Sequence, residues 1–103
     1  ERPVEVLPAL DAYVVPAKDD MRKYAFGMVA RLRSQGLKAD VDLMRRNISK
    51  NLKYASSVGA RFVVIVGKDE MAKRSVMLRD MKSGVQTLVL ADEVGGEIAK
   101  RIR

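Results

Sequence analysis

Apolar residues follow two rhythms along this chain, and the rhythm sets the element type. DAYVVP (11–16) is a short apolar run stopped by Pro16, which reads as a strand. Met21, Tyr24, Ala25, Met28 and Leu32 then recur every three or four residues, which predicts a helix with that stripe inward. Asp19 and Asp20 suit its N-terminus, where carboxylates meet unpaired N–H groups, and Gly36 can close it in a left-handed conformation. KADVDL (38–43) alternates, as an edge or half-exposed strand does. After the loop MRRNISK, Asn47 or Ser49 caps a second helix with Ile48, Leu52, Ala55 and Val58 inward, ended by Gly59. RFVVIVG (61–67) is continuous and β-branched, the pattern of a strand buried on both faces. A turn at KDEMAK leads to SVMLRD (75–80) and VQTLVL (85–90), a hairpin around Lys82-Ser83-Gly84. A last helix starts near Asp92 and buries Val94, Ile98 and Ile102, although Gly95-Gly96 weakens it.

The predicted order is β-α-β-α-β-β-β-α. Right-handed crossovers make the first three strands parallel, and the hairpin adds two antiparallel strands at one side. The expected fold is therefore an α/β domain in three layers, α/β/α. It has a five-stranded mixed sheet, three parallel strands plus a C-terminal hairpin, and three helices. Residues 1–10, with two prolines, read as an incoming linker, and 11–103 as one domain. Ligands of such sheets bind beyond the strand carboxyl ends, here Pro16, 43–47 and 67–70. Tyr13 and Tyr24 are expected in the core, whereas Tyr54 lies off the apolar stripe.

Charge sharpens this picture. The net charge is +7, and residues 37–82 carry +6 of it, with eleven Lys/Arg against five Asp/Glu. Two of the three strand ends fall in that basic segment. A solvated surface explains such a segment, and so does a polyanionic partner, whose phosphates attract lysine and arginine. The chain has no cysteine and no histidine, so disulfides, the two commonest zinc ligands and the commonest general base are excluded. No apolar run approaches the roughly 20 residues of a membrane span, so no membrane partner is expected. A cytoplasmic location fits the missing cysteines.

Enzyme motifs fail one by one. Gly67-Lys68 follows an apolar strand, but the preceding glycine spacing is wrong for a phosphate loop and Asp69 stands where Ser/Thr would hold magnesium. No GxGxxG follows the first strand, no phosphorylatable Asp ends a central strand, and CxxC is absent. Asn47-Ile48-Ser49 matches a glycosylation sequon that a cytosolic chain would not use.

One stretch is more specific than periodicity. GARFVVIVGKDEMAKRSVMLRDMKSGVQ (59–86) resembles the C-terminal anticodon-binding domain of histidyl-tRNA synthetases. That family carries Gly-Ala-Arg, a β-branched strand ending in Gly, and a Glu three residues later. An alternating strand with Lys or Arg follows, then Asp, a hydrophobic residue and (Ser/Thr)-Gly-x-Gln. The matching positions are Gly59, Ala60, Arg61, Gly67, Glu70, Val76, Arg79, Asp80, Met81, Ser83, Gly84 and Gln86. Upstream, the family's Arg-polar-Leu-Lys-x-x-Leu-Lys-x-Ala pattern is similar to Arg46, Asn47, Ile48, Lys50, Leu52 and Ala55. The likeness runs from about residue 10 to 103. It departs at Lys68, where an acid is common, and at Arg74, where glycine is common.

The resemblance implies that the chain binds tRNA, specifically the anticodon loop of histidine tRNA, with anticodon GUG. It implies no catalytic residue, metal or cofactor in this domain; ATP and magnesium belong to an implied homodimeric parent that activates histidine. Splayed bases of a single-stranded loop are read through their edges, whereas phosphate contacts carry little sequence information. A carboxylate repels phosphate, so Glu70 makes sense in a basic segment if it accepts hydrogen bonds from a base. In the related threonyl domain the positions matching Glu70 and Arg79 hold a Glu and an Arg that contact anticodon bases. Arg45, Arg46, Asn47 and Lys50 sit at the neighbouring loop and helix start, suited to phosphate or base contact. Glu70 can also simply cap the 68–73 turn and pair with Lys73 or Arg74, and Asp80 and Gln86 can simply stabilise the hairpin. A threonyl or prolyl relative, or a synthetase-like module used for regulation or dimerisation, are the other readings.

Overall fold

The computed structural model describes residues 10–42, 44, 47–67 and 74–102. Five strands form one sheet in the order β2-β1-β3-β4-β5: β1 (Ala12–Pro16), β2 (Ala39–Val41), β3 (Phe62–Val66), β4 (Ser75–Asp80) and β5 (Gln86–Leu90). β1 pairs in parallel with β2 and β3, and β4 pairs antiparallel with β3 and β5. Three helices complete the domain: α1 (Arg22–Ser34), α2 (Ile48–Ser57) and α3 (Val94–Arg101).

The strand parity explains the layers. Ala12, Val14, Phe62, Val64, Val66, Val76 and Leu78 point to one face and pack with Met21, Ala25, Met28, Val29 and Leu32 of the α1 segment and Val94 and Ile98 of α3. Tyr13, Val15, Val63 and Ile65 point to the other face and pack with Ala55, flanked by Leu52 and Met77. The result is the three-layer α/β/α arrangement expected from the pattern. β3 is buried along its whole length, as its continuous β-branched run required, and β2 is an edge strand. Ile102 also packs against the larger cluster.

Three local expectations change. Asp19 and Asp20 form a 3₁₀ turn (Asp19–Met21), and the α-helix proper starts at Arg22. Tyr24 is 51% exposed, and Val29 takes its place in the core. At 3.6 residues per turn, Met21, Ala25, Met28, Val29 and Leu32 fall in a sector of roughly 100°, and Tyr24 lies about 40° beyond its edge. In α2, Ile48 and Val58 are exposed, while the polar Asn51 is completely buried beside Ala55. Ile48 and Val58 stand at the first residue and the C-cap, the two ends of the face whose middle packs on the sheet.

Gly36 and Gly59 follow α1 and α2 with positive φ, as the sequence predicts. Arg74 also has positive φ (55°), alone among the described non-glycine residues. A left-handed conformation costs an L-residue roughly 1–2 kcal/mol, a cost that glycine does not carry.

Candidate nucleic-acid interface

The basic segment folds onto two surfaces. One is the start of α2. Asn47 is its N-cap, with Oδ1 accepting the Lys50 backbone N–H at 2.8 Å. Of the two caps the sequence allows, the structure uses Asn47, whose extended backbone (φ −71°, ψ 171°) is the usual N-cap conformation. Both Asn47 and Lys50 are exposed, at the positive end of the helix dipole.

A buried polar chain fixes this helix start against the sheet. Asn51 donates from Nδ2 to Asp42 Oδ2 at 3.0 Å and accepts the Tyr13 hydroxyl at 3.3 Å. Asp42 Oδ1 takes the Met44 amide at 2.9 Å. Asp42 follows β2, Tyr13 lies in β1 and Asn51 is one turn into α2, so three elements meet at one network. Its members are almost completely inaccessible to water.

The second surface is the half of the sheet that α2 leaves open. Arg79 in β4 pairs in register with Val63 and Gln86, and by alternation shares its face with Ser75 and Met77. Gln86, Leu88 and Leu90 of β5 lie on the same face, and both leucines are about half exposed. Arg79 Nη1 donates to Gln86 Oε1 at 2.9 Å, while its Nε is buried with no hydrogen-bond partner. A carbon atom added at Gly84 would stand 3.8 Å from Arg79 Nη2, and Gly84 itself has φ +79°. The hairpin thus closes with a glycine turn beside the guanidinium. Asp80 serves that turn, its Oδ1 accepting the backbone N–H groups of Lys82 and Ser83 at 2.9 and 3.3 Å. Gln86 orients Arg79.

The structure does not bring every nominated residue to one point. Arg79 lies four residues along β4 from Ser75, roughly 13 Å towards the hairpin, and two strands from β1. Asn47 and Lys50 lie at the opposite end of the parallel strands. Together they bracket an extended surface rather than a pocket for a small molecule. Glu70, Arg45 and Arg46, with the turn at 68–73, lie outside the described residues. Tyr54 is 38% exposed with its ring 5.3 Å from that of Tyr13, tilted by 49°, so one edge packs and the other faces solvent.

Sequence reasoning missed one group. A polar cavity of about 220 Å³ opens at the carboxyl ends of β1 and β2, between the β1–α1 turn and the α2 cap. Lys18, Asp19, Arg22, Asp42 and Asn47 line it. Arg22 Nη1 is itself buried from solvent without a hydrogen-bond partner, and with Arg79 Nε it makes up the two such side-chain atoms among the described residues. Arg22 carries no signal in the sequence beyond being a charged residue at a helix start. Among the described residues no group of acidic side chains is arranged to hold a metal ion.

Such an arrangement, with donors along an open sheet face and at a helix start, suits a flexible polyanion with readable edges. A family model for the anticodon binding domain matches residues 11–101, and the chain belongs to that family. Within it, the chain is 39% identical over 90 residues to a histidine–tRNA ligase of Pyrococcus furiosus, a span covering 87% of this chain and 21% of that protein. The histidyl-tRNA synthetase structure from Nostoc sp. PCC 7120 superposes with a TM-score of 0.89 at 29% identity, over 93% of this chain and 23% of that one. The RNA binding domain of threonyl-tRNA synthetase from Cryptosporidium parvum Iowa II shares the fold, with a TM-score of 0.79 at 19% identity over 86% of this chain and 22% of that one. The chain spans about a fifth of the length of the curated relatives it matches.

Proposed function

We propose that this chain is the anticodon-binding domain of a histidine–tRNA ligase and binds the anticodon loop of histidine tRNA. Its chief support is the 39% identity to a histidine–tRNA ligase over most of the chain. The threonyl or prolyl alternative is not favoured, since the threonyl structure is similar at only 19% identity. The domain itself contributes binding and selection. Activation of histidine with ATP and magnesium, and esterification of the tRNA, fall to the rest of a cytoplasmic, homodimeric parent.

In this reading Asn47 and Lys50, with Arg45 and Arg46, hold the loop backbone, and Arg79 and Glu70 read base edges. The place of Arg79 on the open face of the sheet, with its guanidinium oriented by Gln86, supports its part. The apolar floor of Met77, Leu88 and Leu90 beside it suits the flat face of an unstacked base. The test is binding of wild type and Glu70→Ala to a GUG anticodon hairpin and to hairpins changed at single anticodon positions, at fixed salt. Wild type is expected to discriminate among the loops, and Glu70→Ala to lose discrimination at one position. Equal binding of all loops, abolished by salt, would reduce the basic segment to an electrostatic handle.

A further inference from the structure

Arg74 stands where the chain enters β4, in a backbone conformation that disfavours its own side chain. Its φ is 55°, alone among the described non-glycine residues in being positive. The surrounding structure holds it there. Its carbonyl accepts the Ala91 N–H at 2.8 Å, and Ser75, the next residue, is buried and paired with Leu90. The backbone at 74 therefore cannot relax without opening the start of the β4–β5 ladder. The side chain, by contrast, adds nothing to the fold: it is exposed and makes no hydrogen bond, ion pair or ring contact among the described residues. Glycine would fill the position without strain, and asparagine with less of it. An exposed arginine kept at a strained backbone position is the pattern of a residue held for binding.

The strand register fixes where it lies. Phe62 pairs with Asp80 and Ile65 with Met77, so Arg74 falls two positions beyond Val66, the last residue of β3. That is the carboxyl end of the three parallel strands, where α2 starts with Asn47 and Lys50 exposed. Arg74 also leads directly into β4, on which Arg79 stands five residues further, roughly 17 Å towards the hairpin. It thus joins two groups of donors that otherwise lie at opposite ends of the sheet. Its chemistry narrows the contact. An exposed guanidinium without partners has no fixed direction in which to read a base edge, and its forked donor suits two phosphate oxygens. Contacts of that kind position a nucleic acid and carry no sequence information.

We propose that Arg74 is a phosphate-binding residue of the RNA interface, holding the loop backbone between the start of α2 and the Arg79 face. This rests on the proposed role in anticodon binding and adds to it a residue that positions the RNA. Fold and function then pull in opposite directions at one position, because the substitution that relieves the backbone removes the contact.

The test compares the 103-residue chain with its Arg74→Gly, Arg74→Asn and Arg74→Lys variants, by thermal unfolding and by titration with a GUG hairpin and an unrelated hairpin at several salt concentrations. Arg74→Gly is expected to melt above wild type, since it sheds the left-handed cost. It should nevertheless bind the GUG hairpin about fivefold more weakly at about 0.1 M salt, with the salt slope smaller by about 0.7, the effect of one phosphate contact on a single strand. The loss should be the same for the unrelated hairpin. Arg74→Asn, which tolerates the left-handed region, should lose the same affinity without melting below wild type. Arg74→Lys keeps the charge and should keep the salt slope. If Arg74→Gly melts below wild type, the arginine serves the fold. If its affinity and slope match wild type, Arg74 touches no phosphate, and if the loss is confined to the GUG hairpin, Arg74 reads a base. Each of these three results overturns the proposal, while the anticodon reading stands as long as wild type prefers the GUG hairpin. If wild type binds both hairpins alike, the anticodon reading fails, and if it binds neither, the role of Arg74 fails with it.

Discussion

Replacing Asn51 by alanine tests whether the buried polar network holds α2 to the sheet. Asn51 is fully buried, and its side chain bonds across elements to the Asp42 carboxylate at 3.0 Å and from the Tyr13 hydroxyl at 3.3 Å. A hydrogen bond to a charged group contributes about 1.5–3 kcal/mol, and a longer neutral one about 0.5–1 kcal/mol. Alanine's better helix propensity returns about 0.5 kcal/mol. The expected loss is therefore about 1.5–3.5 kcal/mol, a large part of the roughly 5–15 kcal/mol that a domain of this size has. In a domain of about 100 residues each 1 kcal/mol moves the melting temperature by about 4–8 °C, so a fall of about 6–28 °C is expected. Urea and thermal unfolding followed by circular dichroism measure it, with Ser56→Ala on the exposed side of the same helix as a control, expected within about 0.5 kcal/mol of wild type. Asn51→Asp should be worse than alanine, since it sets a second carboxylate against Asp42. A loss below about 0.5 kcal/mol for Asn51→Ala, or an aspartate variant as stable as wild type, would refute the network's role.

Two further substitutions separate stability from binding. Asn47→Ala should cost about 1 kcal/mol through the lost cap, whereas Asn47→Asp keeps the cap and stability but weakens RNA binding by placing a negative charge at the helix start; unfolding and hairpin titrations read the two effects independently. Gly96→Ala in α3, where a Cβ meets nothing within 4 Å, should stabilise by about 0.5–1 kcal/mol in the same unfolding assay with RNA binding unchanged.

What was legible in the sequence follows from how local each signal is. β3 announces itself because five successive residues are buried on alternating faces, so no partner need be known to recognise it. The β4–β5 hairpin is equally local, with Gly84 marking the turn by its positive φ. Asn51 was invisible as a core residue because its partners lie 9 and 38 positions away, and a polar side chain at helical spacing reads as solvent-facing until they are placed. Tyr24 erred the other way: its spacing is helical, but its angle around α1 falls outside the stripe. At the candidate site, the resemblance nominated Arg79, and the structure places it on the open face of the sheet, bonded to Gln86. Arg22 has no sequence counterpart, because the cavity it lines forms only when the β1–α1 turn meets the α2 cap.

The most direct test of the account is an Arg79→Lys variant, titrated with the GUG hairpin and with hairpins altered at each anticodon position across a range of salt. Lysine keeps the charge and loses the planar fork. If Arg79 reads a base, the dependence of affinity on salt stays as in wild type, and discrimination at one anticodon position, about 1–3 kcal/mol on the scale of base readout on DNA, disappears. Discrimination unchanged at every position would contradict base reading by this face of the sheet, as would a uniform weakening for all loops with the salt slope reduced by about one.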